Sequence, residues 1–282
     1  MASKSPLLRL QDIRQAYRLI GDCRDLASTP ELWEQRMFDG LLTLVGADRV
    51  SGGEGSWARP QQPLKILSAY WGGFDQSALE HLFRYLRVSG PNSDPILTAF
   101  QDLPGALVTR ARRQLVPDRV WYRTACFNEY QRPADCNHQL SSIFQTSAAG
   151  AINCIALYRR VRARDFSTRE RRLLHFFHAE LGPLIGRVLV SVTEPRPDGL
   201  SRRLRQTLHC LLEGDSEKQI AARLGLSHAT THQYVTALYR HFGVQSRAEL
   251  MAYAMRRLDQ PVWKGVQEKS LEALEVREDE RT

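Results

Sequence analysis

The chain has 282 residues, 43% of them hydrophobic and 25% charged, and carries a net charge of +8. This is the composition of an ordinary globular protein of one or two domains; it excludes wholesale disorder, collagen-like repeats and a disulfide mini-protein. The longest apolar run, Leu181 to Val192, is broken by Gly182, Pro183 and Arg187, so it falls short of the roughly 18–20 residues of a membrane span.

The opening MASKSPLLRLQD has too short an apolar stretch for a signal peptide, which places the chain in the cytoplasm with no membrane partner. Five cysteines, an odd number without a CxxC pair, fit reduced thiols in a reducing compartment. Cys126, Cys136 and His138 match no common zinc spacing, so neither metal nor cofactor is expected.

In chain order, Leu8–Leu26 has apolar residues at helical spacing, and Pro30 opens a second helix. Strands are expected at Arg49–Trp57 and Leu64–Trp71, a third helix capped by Asp75 runs to about Val88, and another strand covers Ala106–Arg110. Leu140–Thr146 and Ala151–Arg160 flank Ser147-Ala-Ala-Gly150 and read as a hairpin. Ser167 and Glu170 form a capping box before a long helix whose apolar set runs from Leu173 to Val188. This order predicts an α+β domain over 1–190, an antiparallel sheet with flanking helices. The aromatics Trp57, Tyr70, Trp71, Trp121, Tyr122, Phe127 and Tyr130 suit either core packing or a ligand pocket. Seven arginines between Arg159 and Arg172 suit either DNA flanks or a solvated strand end.

Two prolines and a glycine mark 191–199 as a linker, 200–258 as a second domain and 259–282 as a charged tail. The second domain divides into four short helices: Ser201–Leu212 ended by Gly214, one capped by Ser216 with Gln219, one capped by Ser227 and running to Phe242, and one capped by Ser246. Gly225-Leu226 makes the tight turn before the third. At about 100° per residue, Thr231, Val235, Leu238 and Phe242 fall within about 40° of one line. The opposite face holds Ala229, His232, Gln233, Thr236 and Arg240, and Ser227–Phe242 contains no acid. An acid-free face is what a helix entering a phosphate-walled major groove requires. Between Pro195 and Gln260 stand ten bases against six acids, about half the excess charge in under a quarter of the chain.

The runs Leu200–Leu208 and Glu213–Ser227, then Thr230, Val235, Leu238 and Phe242–Leu250, resemble the LuxR-type (GerE) helix-turn-helix over about 58 residues. The resemblance implies a sequence-specific transcription regulator that binds double-stranded DNA as a homodimer, with RNA polymerase as a further candidate partner. It implies base contacts at His232, Gln233 and Thr236, and phosphate contacts or caps at Lys218, Gln219, Ser227, Thr230 and Arg240. The sequence departs from the family where Leu204 and Gln206 replace usual glutamates, Thr231 a valine, His232 a lysine, Tyr234 a histidine and Ala237 an asparagine.

The hairpin followed by a helix opening Ser167-Thr-Arg-Glu170 resembles the end of a GAF domain, which implies a GAF/PAS-like sensor or dimerisation domain whose ligand the sequence does not name. The spaced Trp/Tyr/Asp/Trp cluster of acyl-homoserine-lactone sensors is not evident. GxSxG, GxxxxGK[ST], HExxH and GxGxxG are absent, so no catalytic residue and no enzyme is expected. Two alternatives remain: a sigma-factor-like polymerase subunit, or a ligand-hydrolysing sensor enzyme with a vestigial DNA module.

Overall fold

The computed structural model describes residues 5–57, 64–90, 93–146, 150–192, 197–255 and 257. The tail 259–282, linker positions 193–196 and the hairpin tip 147–149 lie outside them. The chain divides into two compact units, 1–193 and 194–282, described separately below.

The N-terminal unit opens with α1 (Leu10–Asp25) and α2 (Pro30–Val45), followed by β1 (Arg49–Ser56). The expected strand 64–71 is two: β2 (Lys65–Ile66) and β3 (Tyr70–Gly72), both antiparallel to β1. The break has its cause across the sheet, on β1. Gly53 has φ +146, and a Cβ there would meet the Ser68 carbonyl oxygen at 2.3 Å. Leu67 N and Ser68 N then both donate to the Glu54 carbonyl, at 2.9 and 3.0 Å, in place of a regular ladder.

Asp75 caps α3 (Gln76–Val88), accepting from Ala78 N at 2.8 Å. Asp94 and Pro95 start α4 (Pro95–Gln101), which the sequence reading missed although Asp before Pro is a helix-start signature. Then come β4 (Leu107–Ala111), the single turns α5 (Arg112–Leu115) and α6 (Asp118–Trp121), and a π-helical turn Cys126–Gln131. Next are β5 (His138–Gln145), β6 (Ala151–Arg159) and α7 (Thr168–Leu181). The expected long helix stops at Leu181. Gly182–Leu184 turns as a 3-10 helix because Pro183 has no N–H to continue the α-helical ladder.

The sheet has the order β2-β1-β6-β5-β4, with β3 also on β1. Side chains alternate between its faces. Val50, Leu140, Ile155 and Leu157 pack on α1, α2 and α7 with Trp33, Phe38, Leu174 and Phe177. Ile143 and Ile152 face the other way, toward Tyr85, Ile96, Phe100, Trp121 and Tyr130. An antiparallel sheet with flanking helices is therefore present, with helices on both faces. A sigma-like subunit would need a helical region at this point in the chain, and the unit is built on a sheet instead.

The arginine run 159–172 is mostly consumed inside this unit. Arg159 is buried; it donates to the carbonyls of Val45 and Gly46 at the end of α2 and pairs with Glu170 at 3.0 Å. Arg164 pairs with Glu170, Arg169 with Asp12, and Arg172 donates to the Pro6 carbonyl. Removing Arg159 takes from Glu170 its buried ion-pair partner and from two helix-end carbonyls their donor. Arg159→Met is expected to cost about 3–5 kcal/mol of unfolding free energy, read by chemical denaturation.

Buried Glu54 and Trp33 hold the end of the unit, and a second buried glutamate, Glu34, lies beside Glu54. Trp33 Nε1 donates to the Val190 carbonyl at 2.8 Å, and Val190 N to the Ala27 carbonyl at 2.9 Å. The Ser191 hydroxyl donates to Glu54, and Val192 N donates to Glu54 Oε1 at 3.2 Å. Glu34 accepts from Ser68 Oγ at 3.1 Å; burial, then the neighbouring Glu54 carboxylate, pushes its pKa up to about 8. A carboxyl whose pKa is raised on folding stabilises the fold fully only below its unfolded value, and that contribution is lost as pH rises to the folded value. Wild type should therefore lose stability steadily from about pH 4.5 to pH 8 through this group, and Glu34→Gln should flatten that limb of the pH–stability curve.

Candidate nucleic-acid interface and interior cavity

The C-terminal unit holds α8 (Arg202–Glu213), α9 (Glu217–Leu224), α10 (His228–Phe242) and α11 (Arg247–Met255). Each start is written in local chemistry. Ser201 Oγ accepts from Leu204 N, Ser216 forms a capping box with Gln219, and Ser227 Oγ accepts from Thr230 N at 3.1 Å. Gly225 at φ +64 turns the chain between α9 and α10, a conformation in which a side chain is strained. Arg247 closes the bundle by donating to the Leu211 and Asp215 carbonyls, at 2.8 and 2.6 Å.

α10 buries Thr231, Val235, Leu238 and Phe242 against Leu208, Ile220, Leu224 and Leu250. That is the stripe drawn from the sequence. Thr231 keeps a valine-like shape there, and its hydroxyl bonds back to the Ser227 carbonyl at 3.1 Å, so no polar atom is stranded.

The expected contact residues separate into two groups. His232, Gln233, Thr236 and Arg240 are exposed together on the opposite face, and Lys218 is exposed on α9. Gln219 Oε1 and Ser227 Oγ are instead occupied as caps, and the Thr230 hydroxyl is 2.8 Å from Ser227 Oγ. One neighbour was missed by sequence reasoning. Glu217 in the first turn of α9 lies 3.1 Å from His232 Nδ1. Its spacing of 15 residues from His232 gives no periodic signal.

Between the sheet and α3, α4 and the π-helical turn lies a cavity of about 150 Å³. That is on the order of ten times the space needed for one water. Small side chains on one sheet face, among them Gly53, Gly55, Ser141 and Ala156, leave this room. Of the seven aromatics noted in the sequence, Trp71 and Tyr130 line it, while Trp57, Trp121 and Phe127 are core. Glycine in an inner strand, as in Gly52-Gly53-Glu54-Gly55, was the available signal for the cavity.

Polar groups gather at the cavity wall. The Tyr158 hydroxyl is 3.0 Å from Ser51 Oγ, and Gln139 Nε2 donates to Ser141 Oγ at 2.9 Å. Gln131 Nε2 donates to Gln139 Oε1 at 3.3 Å. Burial raises Asp94 to about 6 although Ile96 N and Leu97 N hold it down. Burial pushes the Tyr85 hydroxyl up, helped by the charge of Asp94, and also the Cys126 thiol. Among the described residues no three His, Cys, Asp or Glu side chains are placed to share a metal ion, and no helix is long and apolar enough to cross a membrane.

Comparison with known proteins bears on the C-terminal unit most directly. Residues 198–254 match the GerE family, described as bacterial regulatory proteins, luxR family. No curated protein matches the chain. Among solved structures, Escherichia coli SdiA is 13% identical with a TM-score of 0.39, covering 79% of this chain and 90% of its own. SdiA in complex with octanoyl-rac-glycerol is 14% identical with a TM-score of 0.40, covering 91% and 97%. The N-acylhomoserine lactone dependent LuxR family transcription factor CepR2 from Burkholderia cenocepacia is 16% identical with a TM-score of 0.42, covering 61% and 92%. At these scores the structural likenesses carry nothing about ligand or mechanism. The family match is thus confined to residues 198–254, the four-helix unit with its exposed, acid-free third helix.

Proposed function

We propose that two copies of this chain bind double-stranded DNA in the cytoplasm, each placing α10 in a major groove about 10 base pairs from the other. His232, Gln233 and Thr236 read base edges, while Lys218 and Arg240 contact phosphates. In this reading residues 1–190 sense or dimerise, 191–199 link, 200–258 bind DNA and 259–282 form a charged tail. The observation that carries it is the exposure of His232, Gln233, Thr236 and Arg240 on one face without an acid in the helix.

A small amphiphilic ligand in the cavity controls the regulator. Support comes from the polar groups of Asp94, Tyr130 and Gln139 among walls that are otherwise mostly apolar. β1 links the two tasks: its Gly53 and Gly55 line the cavity, and its Glu54 holds Ser191 and Val192. A ligand that shifts β1 is felt where the chain leaves the sheet.

Gln233→Ala and Thr236→Ala should each relax sequence preference by about 1–3 kcal/mol in competition binding with mutated operators. Arg240→Ala should weaken every sequence alike and lower the salt slope by about one unit. If all three variants bind as wild type, the assignment of this face is wrong. For the cavity, octanoyl glycerol is a suitable probe. It should raise the melting temperature of wild type and not of Ala156→Phe, which fills the space; equal shifts in both would place the ligand elsewhere.

A further inference from the structure

Glu217 and His232 face one another across the turn of the helix-turn-helix. The carboxylate oxygens of Glu217 lie 3.1 and 3.4 Å from Nδ1 of His232. Glu217 also lies 4.0 Å from Nε2 of His228, the first residue of α10. Both histidines are mostly exposed, at 69% for His228 and 66% for His232, whereas the Glu217 side chain is 29% exposed. The carboxylate is thus the more fixed partner. It is held by a short helix whose Ile220 and Leu224 are buried in the same core as Val235 and Leu238 of α10.

An ionised carboxylate accepts hydrogen bonds and has none to give. The hydrogen in this contact therefore sits on Nδ1, and in a neutral imidazole the other nitrogen, Nε2, keeps a lone pair. We propose that Glu217 is a positioning residue for base recognition: by holding Nδ1–H it turns His232 Nε2 outward as a hydrogen-bond acceptor. This rests on the reading of His232 as a base contact.

The consequence is a specific base choice. In the major groove adenine presents N6–H2 and cytosine N4–H2 as donors, whereas guanine presents O6 and N7 and thymine O4, all acceptors. A ring that offers a lone pair is satisfied by adenine or cytosine and repelled by the acceptors of guanine and thymine. Lysine, usual at this position of the LuxR-type motif, has only hydrogens to give and makes the opposite choice. The exchange of lysine for His232, paired with an acid at Glu217, thus changes the sign of the recognition rather than merely weakening it.

Selection of bound sequences from a randomised duplex pool, using the full chain, tests this. Wild type should enrich one base pair at a position of each half-site and lose that preference when the pair's adenine N6 or cytosine N4 amino group is removed, and His232→Ala should show no such enrichment. Glu217→Ala should lose it at the same position alone, by about fivefold to tenfold, which corresponds to about 1–1.4 kcal/mol. Glu217→Asp, which can still only accept, should restore most of it, a rescue that a merely structural role would not give. If binding to the enriched pair survives removal of its adenine N6 or cytosine N4 amino group but falls when guanine N7 is replaced by carbon, the proposal is overturned, as it is by a wild-type profile for Glu217→Ala. If His232→Ala itself keeps the wild-type profile, the base-contact reading of His232 fails first and takes this inference with it.

Discussion

The side of α10 that stays exposed is decided by the side that does not. Thr231, Val235, Leu238 and Phe242 form one apolar line, and burying it against α8 and α9 sets the rotation of the helix about its axis. The Ser227 cap and the αL turn at Gly225 set where that helix begins. With start and rotation both fixed, His232, Gln233, Thr236 and Arg240 have only one direction left. A slip of one residue in this packing would turn the helix by about 100° and put Gln233, Tyr234, Ala237 and His241 where His232, Gln233, Thr236 and Arg240 now stand.

The N-terminal unit uses the same logic with a sheet. One face is filled by large side chains from α1, α2 and α7. The other is lined partly by glycine, serine and alanine, and room remains under the layer formed by α3 and α4. A strand with three glycines is a poor strand by itself. It is held here because β6 pairs with all eight of its residues. Glu54 lies in that same strand and accepts from Ser191 and Val192, so the cavity wall and the root of the connecting segment belong to one rigid element. Burying Glu34 beside Glu54 costs stability, and the exit segment supplies hydrogen-bond donors that offset part of that cost.

The elements legible in the sequence are those defined by neighbours within a few residues. Ser167 with Glu170 and Ser216 with Gln219 are side chains answering backbone groups three positions away, so pattern alone finds them. The break between β2 and β3 depends on Ser68 approaching Gly53 from across the sheet, and no local pattern encodes it. α5 and α6 are single turns, too short for any periodicity. The arginines of 159–172 look like a charge patch when read in line. Their partners Asp12, Val45, Gly46 and Pro6 are more than a hundred residues away, and only the fold brings them together. The cavity was half visible: aromatics marked it poorly, because most of them serve the core, and the glycines of β1 marked it better.

Charge counting has the same weakness in the DNA-binding unit, and this bears on how the unit recognises DNA. Ten bases in the segment suggest a strong polyanion attractor. Yet Arg223 is tied to Glu213 and Asp215, and Arg247 to backbone carbonyls. Arg203 donates to Gln206, and Arg257 lies over the Tyr253 ring at 3.9 Å. On α9 and α10, Lys218 and Arg240 are the exposed cations outside these contacts. Counterion release scales with phosphates neutralised, so two such charges per copy give only a shallow salt dependence from these helices. Binding tight enough to regulate then needs either two copies acting together or a large share of its free energy from base edges. On that accounting, in the proposed reading, the uncharged face of Gln233 and Thr236, with His232 beside its acid neighbour, matters more than the net charge of the chain suggests.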